Sequence, residues 1–469
     1  MSDFILECLG ARSGDQFALH EEHLNRQMVR VLRTIGYDRN YVRAKGPYLF
    51  DSEGERYLDL LSGFGVFALG RNHPTVNAAL IEVLSADLPN LIQLDVSLLA
   101  GLLSEELVKI APTPELDRVF FANSGAETVE AAIKFARVAT KRPKILCCNN
   151  GYHGLTYGAL SITGDKMFRG GFGPFLDGCG SIPFNDLAAL EEALAGKDAA
   201  AFVVEPIQGK GVILPDDDYL AEAARLCRRA GTLFVADEVQ TGLGRTGKMW
   251  AVEHYGAEPD MVLSAKALSG GQAAVGAVLM RSAVFDAVFD RMDRAVVHGS
   301  TFGKNNLAMA AGLATLKVLA EEDLVRRAAV QGDSLRSALS AFVERYEFVH
   351  DVRGKGLMIG LEFGKPTSFR LQAAWSLLEK ANVSLFSQMI LIPLFKDHKI
   401  LAQVASHGQH VIKLLPPLVI DDDDVAWITR GFDTTIADCH KIPGAIWDLG
   451  RRLAGHAMAS NAKAQAAAH

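Results

Sequence analysis

The chain has 469 residues, too many for one simple domain, and 49% of them are hydrophobic, enough to bury a large core. Its formal net charge of -7 argues against nucleic acid as a partner and leaves small ligands open. Six cysteines, at 8, 147, 148, 179, 227 and 439, form no CxxC pair and no disulfide framework, a usage that suits a reducing, cytoplasmic setting.

The first stretch, MSDFILECLGARSGDQ, has no basic region followed by a sustained apolar run, so it does not read as a signal peptide. No run of about 18 apolar residues predicts a transmembrane segment. GPYLFDSEGERYLDLL, residues 46–61, reads as strand, turn and strand around Glu53-Gly54. Between about residues 75 and 330, short apolar runs alternate with longer helical patterns such as AETVEAAIKFARVATK. The runs RVFFAN, KILCCNN, AAFVVEP, TLFVADE, DMVLSAK and AVGAVLM are almost continuously hydrophobic, which predicts burial on both faces of a parallel sheet. This is α/β organisation.

After about residue 335, helices and short strands mix, as in YEFVHDVRGKGLMIGLEF. The apolar segment SLFSQMILIPLF, residues 384–395, is too short to span a membrane and contains a proline. Its Met and Phe side chains either line a channel for a long aliphatic substrate or complete a core. The acidic run 421–424 reads as a helix start rather than a metal site, and no metal is expected. The expected division is an N-terminal segment 1–75 contributing to a small domain, a large domain 76–335, a C-terminal small domain 336–450 and a flexible tail 451–469.

Ligands of an open parallel sheet bind beyond the carboxyl ends of its strands. Those ends carry Asn123-Ser124-Gly125-Ala126, Tyr152-His153, Glu205, Asp237 and Lys266. NSGAE opens a helix, where Ser124 is either an ordinary N-cap or, with Gly125, part of a phosphate cradle. Asp237 needs a cation or a cap if buried, and Tyr152 offers either a flat plate or core packing. Together these groups meet the needs of pyridoxal 5'-phosphate: an amine from Lys266, a carboxylate from Asp237 to keep the ring nitrogen protonated, a plate from Tyr152 and an anion site at Gly125-Ala126. GLGRTG, residues 242–247, satisfies a dinucleotide glycine pattern, but five residues separate it from the preceding apolar run. As a P-loop it fails at Met249, where a hydroxyl should hold magnesium.

LFVADEVQTGLGRTGKMWAVEHYGAEPDMVLSAKALSGG resembles the signature of class III pyridoxal-phosphate aminotransferases of fold type I. FFANSGAETVEAAIKFAR, GYHG, VVEPIQG, HGSTFGKNNLAMAA, VRGKGLMIGLEF and LLPPLVI support it in family order over roughly residues 25–440. The resemblance implies a mostly parallel seven-stranded sheet in the large domain and a smaller α+β domain built from both chain ends. It implies that Lys266 is the Schiff-base lysine and Asp237 the partner of the ring nitrogen. Ser124, Gly125 and Ala126 would hold the phosphate, Tyr152 and Val239 the two ring faces, with His153 alongside. Gln240 and Glu205 would lie near the ring hydroxyl. Thr301 would reach the cofactor of a neighbouring subunit, which implies a homodimer.

Relatives acting on glutamate or ornithine commonly read EPIQGEGG and carry an arginine three residues before PPL; here Lys210 and Lys413 stand at those positions. Two lysines cannot pair with each other, and lysine does not reproduce the arginine fork on a carboxylate. Leu155 stands where the family often has Arg or Lys. Phe64 and Phe67, in SGFGVFALGRNHP, resemble the aromatic pocket entrance of putrescine-type enzymes. The expectation is an aminotransferase moving nitrogen from an amino-acid or amine donor to an aldehyde or ketone with an aliphatic portion, in the extreme a lipid such as a hopanoid side chain. Ornithine, acetylornithine or diamine transamination, an aminomutase or decarboxylase on the same scaffold, and a non-catalytic binding protein are the alternatives.

Overall fold

A computed structural model describes residues 3–92, 95–381, 385–406, 409–441, 444 and 446–450; Ser384 and the expected tail 451–469 lie outside them. After three short helices (Phe4–Ala11, Gln16–His23 and Arg26–Ile35) come three antiparallel strands: β1 (Tyr41–Lys45), β2 (Tyr48–Asp51) and β3 (Arg56–Asp59). The Asp51 carboxylate tightens the turn after β2 by accepting from the amides of Glu53 and Glu55 at 3.0 and 2.9 Å. This is the strand–turn–strand that the sequence predicts there.

The central sheet comprises β4 (Arg118–Ala122), β5 (Lys144–Cys148), β6 (Cys179–Ile182), β7 (Ala199–Val204), β8 (Leu233–Asp237), β9 (Met261–Ser264) and β10 (Gly276–Met280). Their spatial order is β4-β10-β9-β8-β7-β5-β6. Only β10 is reversed, antiparallel to both β4 and β9. Its run AVGAVLM is as apolar as the others, so hydropathy does not reveal the reversal. The connection does: residues 265–275 hold one 3-10 turn, Lys266–Ser269, and fall short of the dozen or so residues a parallel crossover needs. The sequence also gave no signal for β6, an edge strand reading CGSI with little apolar character.

Helix Gly125–Thr140 covers one face of this sheet through Val129, Ile133, Phe135 and Ala136. Each large apolar side chain buried so completely contributes about 1.5–3 kcal/mol before ordering entropy is counted. The GLGRTG stretch packs as a turn: Arg245 is buried and donates to the carbonyl of Leu357 at 3.1 Å and to that of Pro416. Gly247 abuts Ala329 of helix Leu324–Arg345. That helix runs unbroken through residue 335, where a domain boundary was expected.

The C-terminal part forms a third sheet from β11 (Val349–Lys355), β12 (Met358–Phe363), β14 (Gln403–Val404) and β15 (Val411–Leu414) in the order β11-β12-β15-β14. The two-residue strand β13 (Ile400–Leu401) instead joins β3 in parallel, so the late chain completes the N-terminal sheet. Helix Leu385–Lys396 is apolar all round and buried, the pattern of a core helix. Phe386 packs on Phe348 and Trp375 with ring centroids 4.7 Å apart in each case, and Met389 is buried in the same cluster. The Met and Phe of this segment therefore complete a core. The acidic run starts helix Asp422–Cys439 through a reciprocal cap between Asp421 and Asp424. Among the described residues no helix is long and apolar enough to cross a membrane.

Candidate active site

A cavity of about 1180 Å³ opens at the carboxyl ends of β4, β5, β7, β8 and β9, lined by residues that follow each strand. Ser124, Gly125, Ala126, Tyr152, His153, Glu205, Asp237, Val239, Gln240 and Lys266 all line it, gathered from five separate strand ends. Ser124 caps the helix Gly125–Thr140 by accepting from the Glu127 amide at 3.2 Å. The N-cap reading is thus observed, and a capped helix start still leaves its first amides available to an anion.

Lys266 follows β9 by two residues and holds a left-handed backbone, φ 40°. Strained backbone of this kind costs on the order of 1–3 kcal/mol and gathers at functional sites. Its side chain reaches the cavity and makes no hydrogen bond or ion pair among the described residues. Burial pulls the amine below the ordinary lysine range, and the charges of Asp237 and Glu205 only partly offset that.

Asp237 is buried and spends one bond on each oxygen. Oδ1 accepts from the Val239 amide at 3.1 Å, and Oδ2 accepts from His153 Nδ1 at 2.7 Å. Burial alone would lower the imidazole, but the hydrogen bond and charge of Asp237, with Glu205 behind it, raise His153 above its usual range. His153 Nε2 is buried and finds no partner among the described residues. Glu205 is pinned by the amides of Tyr152 and Gly209, each at 2.9 Å, and burial raises its pKa.

Gln240 donates to the Phe64 carbonyl at 3.0 Å and accepts from Lys413 Nζ at 3.3 Å. Lys413 also donates to the Gly209 carbonyl at 2.7 Å. Burial first, and the Lys266 and Lys210 charges after it, bring Lys413 down to about 7. Lys210 lines the cavity but pairs with Asp165, an acid 45 positions away that no local pattern points to. Asp165 also caps the short helix Lys166–Arg169.

Phe64 and Leu155 line the cavity as expected, both more than half exposed. Phe67 does not. Its ring lies against Gly271 and under the Arg71 guanidinium, 4.0 Å from its centroid, so the cation draws it away from the opening that Val66 occupies. Thr301 is exposed and lies outside its own chain's cavity. Met28, Met167, Phe168 and Val404 are lining residues that the sequence did not single out, because apolar side chains at scattered positions carry no motif.

The class III aminotransferase family model matches residues 34–436. The chain belongs to the class III aminotransferases. It is 36% identical over 452 residues to the aminotransferase PigE of Serratia sp. (strain ATCC 39006), covering 90% of this chain but only 53% of that protein, so the chain spans about half of that relative's length. It is 41% identical over 346 residues to the putrescine aminotransferase of Pectobacterium atrosepticum, covering 71% of this chain and 73% of that one. The ornithine aminotransferase of Toxoplasma gondii, a structure reported with partial occupancy of pyridoxal phosphate at its active site, superposes with a TM-score of 0.80 at 30% identity over 94% of this chain and all of its own.

The residues of this class III aminotransferase fit that cofactor. Lys266 offers an unpaired amine, and Asp237 keeps hydrogen-bonding capacity on both oxygens after its two protein bonds. Gly125 leaves room where a Cβ would stand 2.8 Å from Val239 Cγ1. Gly125→Ala is therefore expected to push Val239 aside at a cost of about 1–3 kcal/mol and weaken cofactor affinity roughly tenfold or more. Fluorescence titration of the apoprotein measures this, and unchanged affinity would mean the first turn does not hold the phosphate.

Proposed function

We propose that this class III aminotransferase uses pyridoxal phosphate to move an amino group from an amino-acid or amine donor to an aldehyde or ketone that carries an aliphatic portion. The observation that supports this acceptor is the cavity wall: Met28, Phe64, Leu155, Met167, Phe168 and Val404 line it, and no arginine does among the described residues. A bulky apolar chain gains burial in such a place, while a second carboxylate finds no guanidinium fork.

When bound, pyridoxal phosphate supplies an aldehyde that carries nitrogen and a ring that accepts electrons. The helix start at Ser124-Gly125-Ala126 would receive its phosphate, and Tyr152 and Val239 would supply the surfaces for its ring. Asp237, oriented by His153, would hold the ring N–H. Glu205 and Gln240 would serve the ring hydroxyl. Lys266 Nζ would be the amine that anchors the cofactor and, when unprotonated, the base positioned to take the proton from the donor's amine-bearing carbon.

The enzyme is proposed to be a homodimer in which Thr301 reaches the partner's cavity. Exposed apolar side chains at Ile81, Leu84, Ile92, Val96, Val296 and Phe302 support an interface in that region. Free cysteines, five of the six at least partly buried, support a cytoplasmic setting. The putrescine aminotransferase relative favours a second reading of the donor side, in which a diamine is the donor.

The test is a panel crossing glutamate, alanine and putrescine as donors with 2-oxoglutarate, short aldehydes and long aliphatic aldehydes, up to lipid-borne ones, as acceptors. Preference for the long aldehydes supports the reading, and confinement to keto acids overturns it. The same panel run against pH tests Lys413. With its pKa near 7, its ammonium is lost as pH rises through neutrality. KM for 2-oxoglutarate should then climb above that pH while KM for a neutral aldehyde stays flat. Parallel profiles would remove Lys413 from substrate binding.

A further inference from the structure

Lys210 occupies the position at which an anion receptor would be sought, yet its charge is already engaged. Its Nζ pairs with Asp165 Oδ2, and the two side chains are only 11% and 17% exposed. The ammonium also lies 4.0 Å from the centroid of Phe168 and 5.6 Å from that of Tyr152, within cation–π range of both. Phe168 in turn meets Tyr152 edge-on, centroids 5.4 Å apart at 71°. Asp165 also starts the helix Lys166–Arg169, since its Oδ1 accepts from the Met167 amide at 2.8 Å.

One turn of helix does not hold itself together in water. The position of Lys166–Arg169 therefore depends on what ties it down, and among the described residues the Asp165–Lys210–Phe168 contact is a tie to the sheet side of the cavity. That segment carries Met167 and Phe168 into the cavity lining.

We propose that Lys210 is a positioning residue that sets acceptor specificity: by clamping Asp165 and seating Phe168, it holds the short helix so that Met167 and Phe168 form an apolar wall, and the site selects acceptors by aliphatic chain length. The inference rests on the aliphatic-acceptor reading above and names the device that produces it. An acid at 210 would face Asp165 with like charge and release the segment. A cation spent on Asp165 leaves apolar side chains, Met167 and Phe168 among them, to meet a substrate on this side.

The experiment measures kcat and KM for straight-chain aldehydes from propanal to decanal with one fixed donor. Wild type is expected to gain up to about fourfold in kcat/KM per added methylene, the value of a fully buried CH₂, until the wall is covered. Lys210→Gln and Asp165→Asn should each cut that gain by half or more, through KM, with the deficit growing as the chain lengthens. Lys210→Arg, which keeps the ion pair and the ring contact, should retain the gain. Met167→Ala leaves the clamp intact and removes part of the wall, so it should also flatten the series; this variant keeps the test valid if the clamp variants fold poorly.

An unchanged series in Lys210→Gln and Asp165→Asn overturns the clamp while leaving the aliphatic reading standing. A loss equal at every chain length, or one confined to carboxylate-bearing acceptors, also overturns it, the latter by making Lys210 an anion receptor. A wild-type enzyme indifferent to chain length overturns both the clamp and the acceptor reading beneath it.

Discussion

Lys266→Ala is expected to yield a folded protein whose turnover has fallen by about four orders of magnitude or more, since a well-placed proton-transfer group alone contributes up to about 10⁴-fold. Folding should survive because the amine makes no hydrogen bond or ion pair among the described residues that its removal would break. Rescue from a neighbour is blocked. Lys413 is close enough to feel the charge of Lys266, but its Nζ is held by the Gly209 carbonyl and by Gln240. The amine of Lys266 is pushed down by burial, so a larger fraction is unprotonated at neutral pH than in an exposed lysine. Wild-type activity should therefore rise with pH through that lowered pKa. Borohydride reduction followed by peptide mapping should find the pyridoxyl mass on position 266 in wild type alone. Turnover within tenfold of wild type in the alanine variant would remove Lys266 from the mechanism.

Asp237→Asn is expected to lower kcat by about 10²–10³-fold, because removing one partner of a buried charged pair costs about 3–5 kcal/mol. The asparagine keeps the shape and can still meet the Val239 amide, but it brings no charge to the ring nitrogen or to His153. The variant should also shift the histidine. His153 lies above its usual range mainly because Asp237 outweighs burial, so its NMR titration should move downward. The sign for stability follows. A histidine raised in the folded state adds stability at pH below its unfolded pKa and loses it as pH rises through the raised one, so the variant should lose that acid-side contribution. Near-wild-type kcat with an unmoved His153 would mean the carboxylate faces neither group as described.

That the lysine, the acid and the helix start share one cavity was legible because each ends a strongly apolar run or follows one within a few residues, and a parallel sheet delivers such ends to one rim. The large sheet was legible for the same reason, apart from two strands. β10 is reversed by the brevity of the connection that precedes it, and β6 lacks the apolar run that marks a strand. What sequence could not disclose is pairing at a distance. Lys210 and Asp165, Gln240 and Phe64, and Lys413 and Gly209 are joined only by the fold. Phe67 failed as a pocket residue because Arg71, four positions on, takes its ring. The apolar helix Leu385–Lys396 left two uses open in sequence, and only its packing on Phe348 and Trp375 decides between them.

The parallel bridge between β3 and β13 joins Leu58 to Ile400. During synthesis at roughly 5–20 residues per second, the edge of β3 must wait on the order of tens of seconds before its cover leaves the ribosome. Until then the nascent chain shows an open strand edge to its neighbours, a template for intermolecular pairing. Any version of this polypeptide ending before residue 400 would keep that edge permanently, which makes chaperone demand and inclusion-body formation a property of where translation stops.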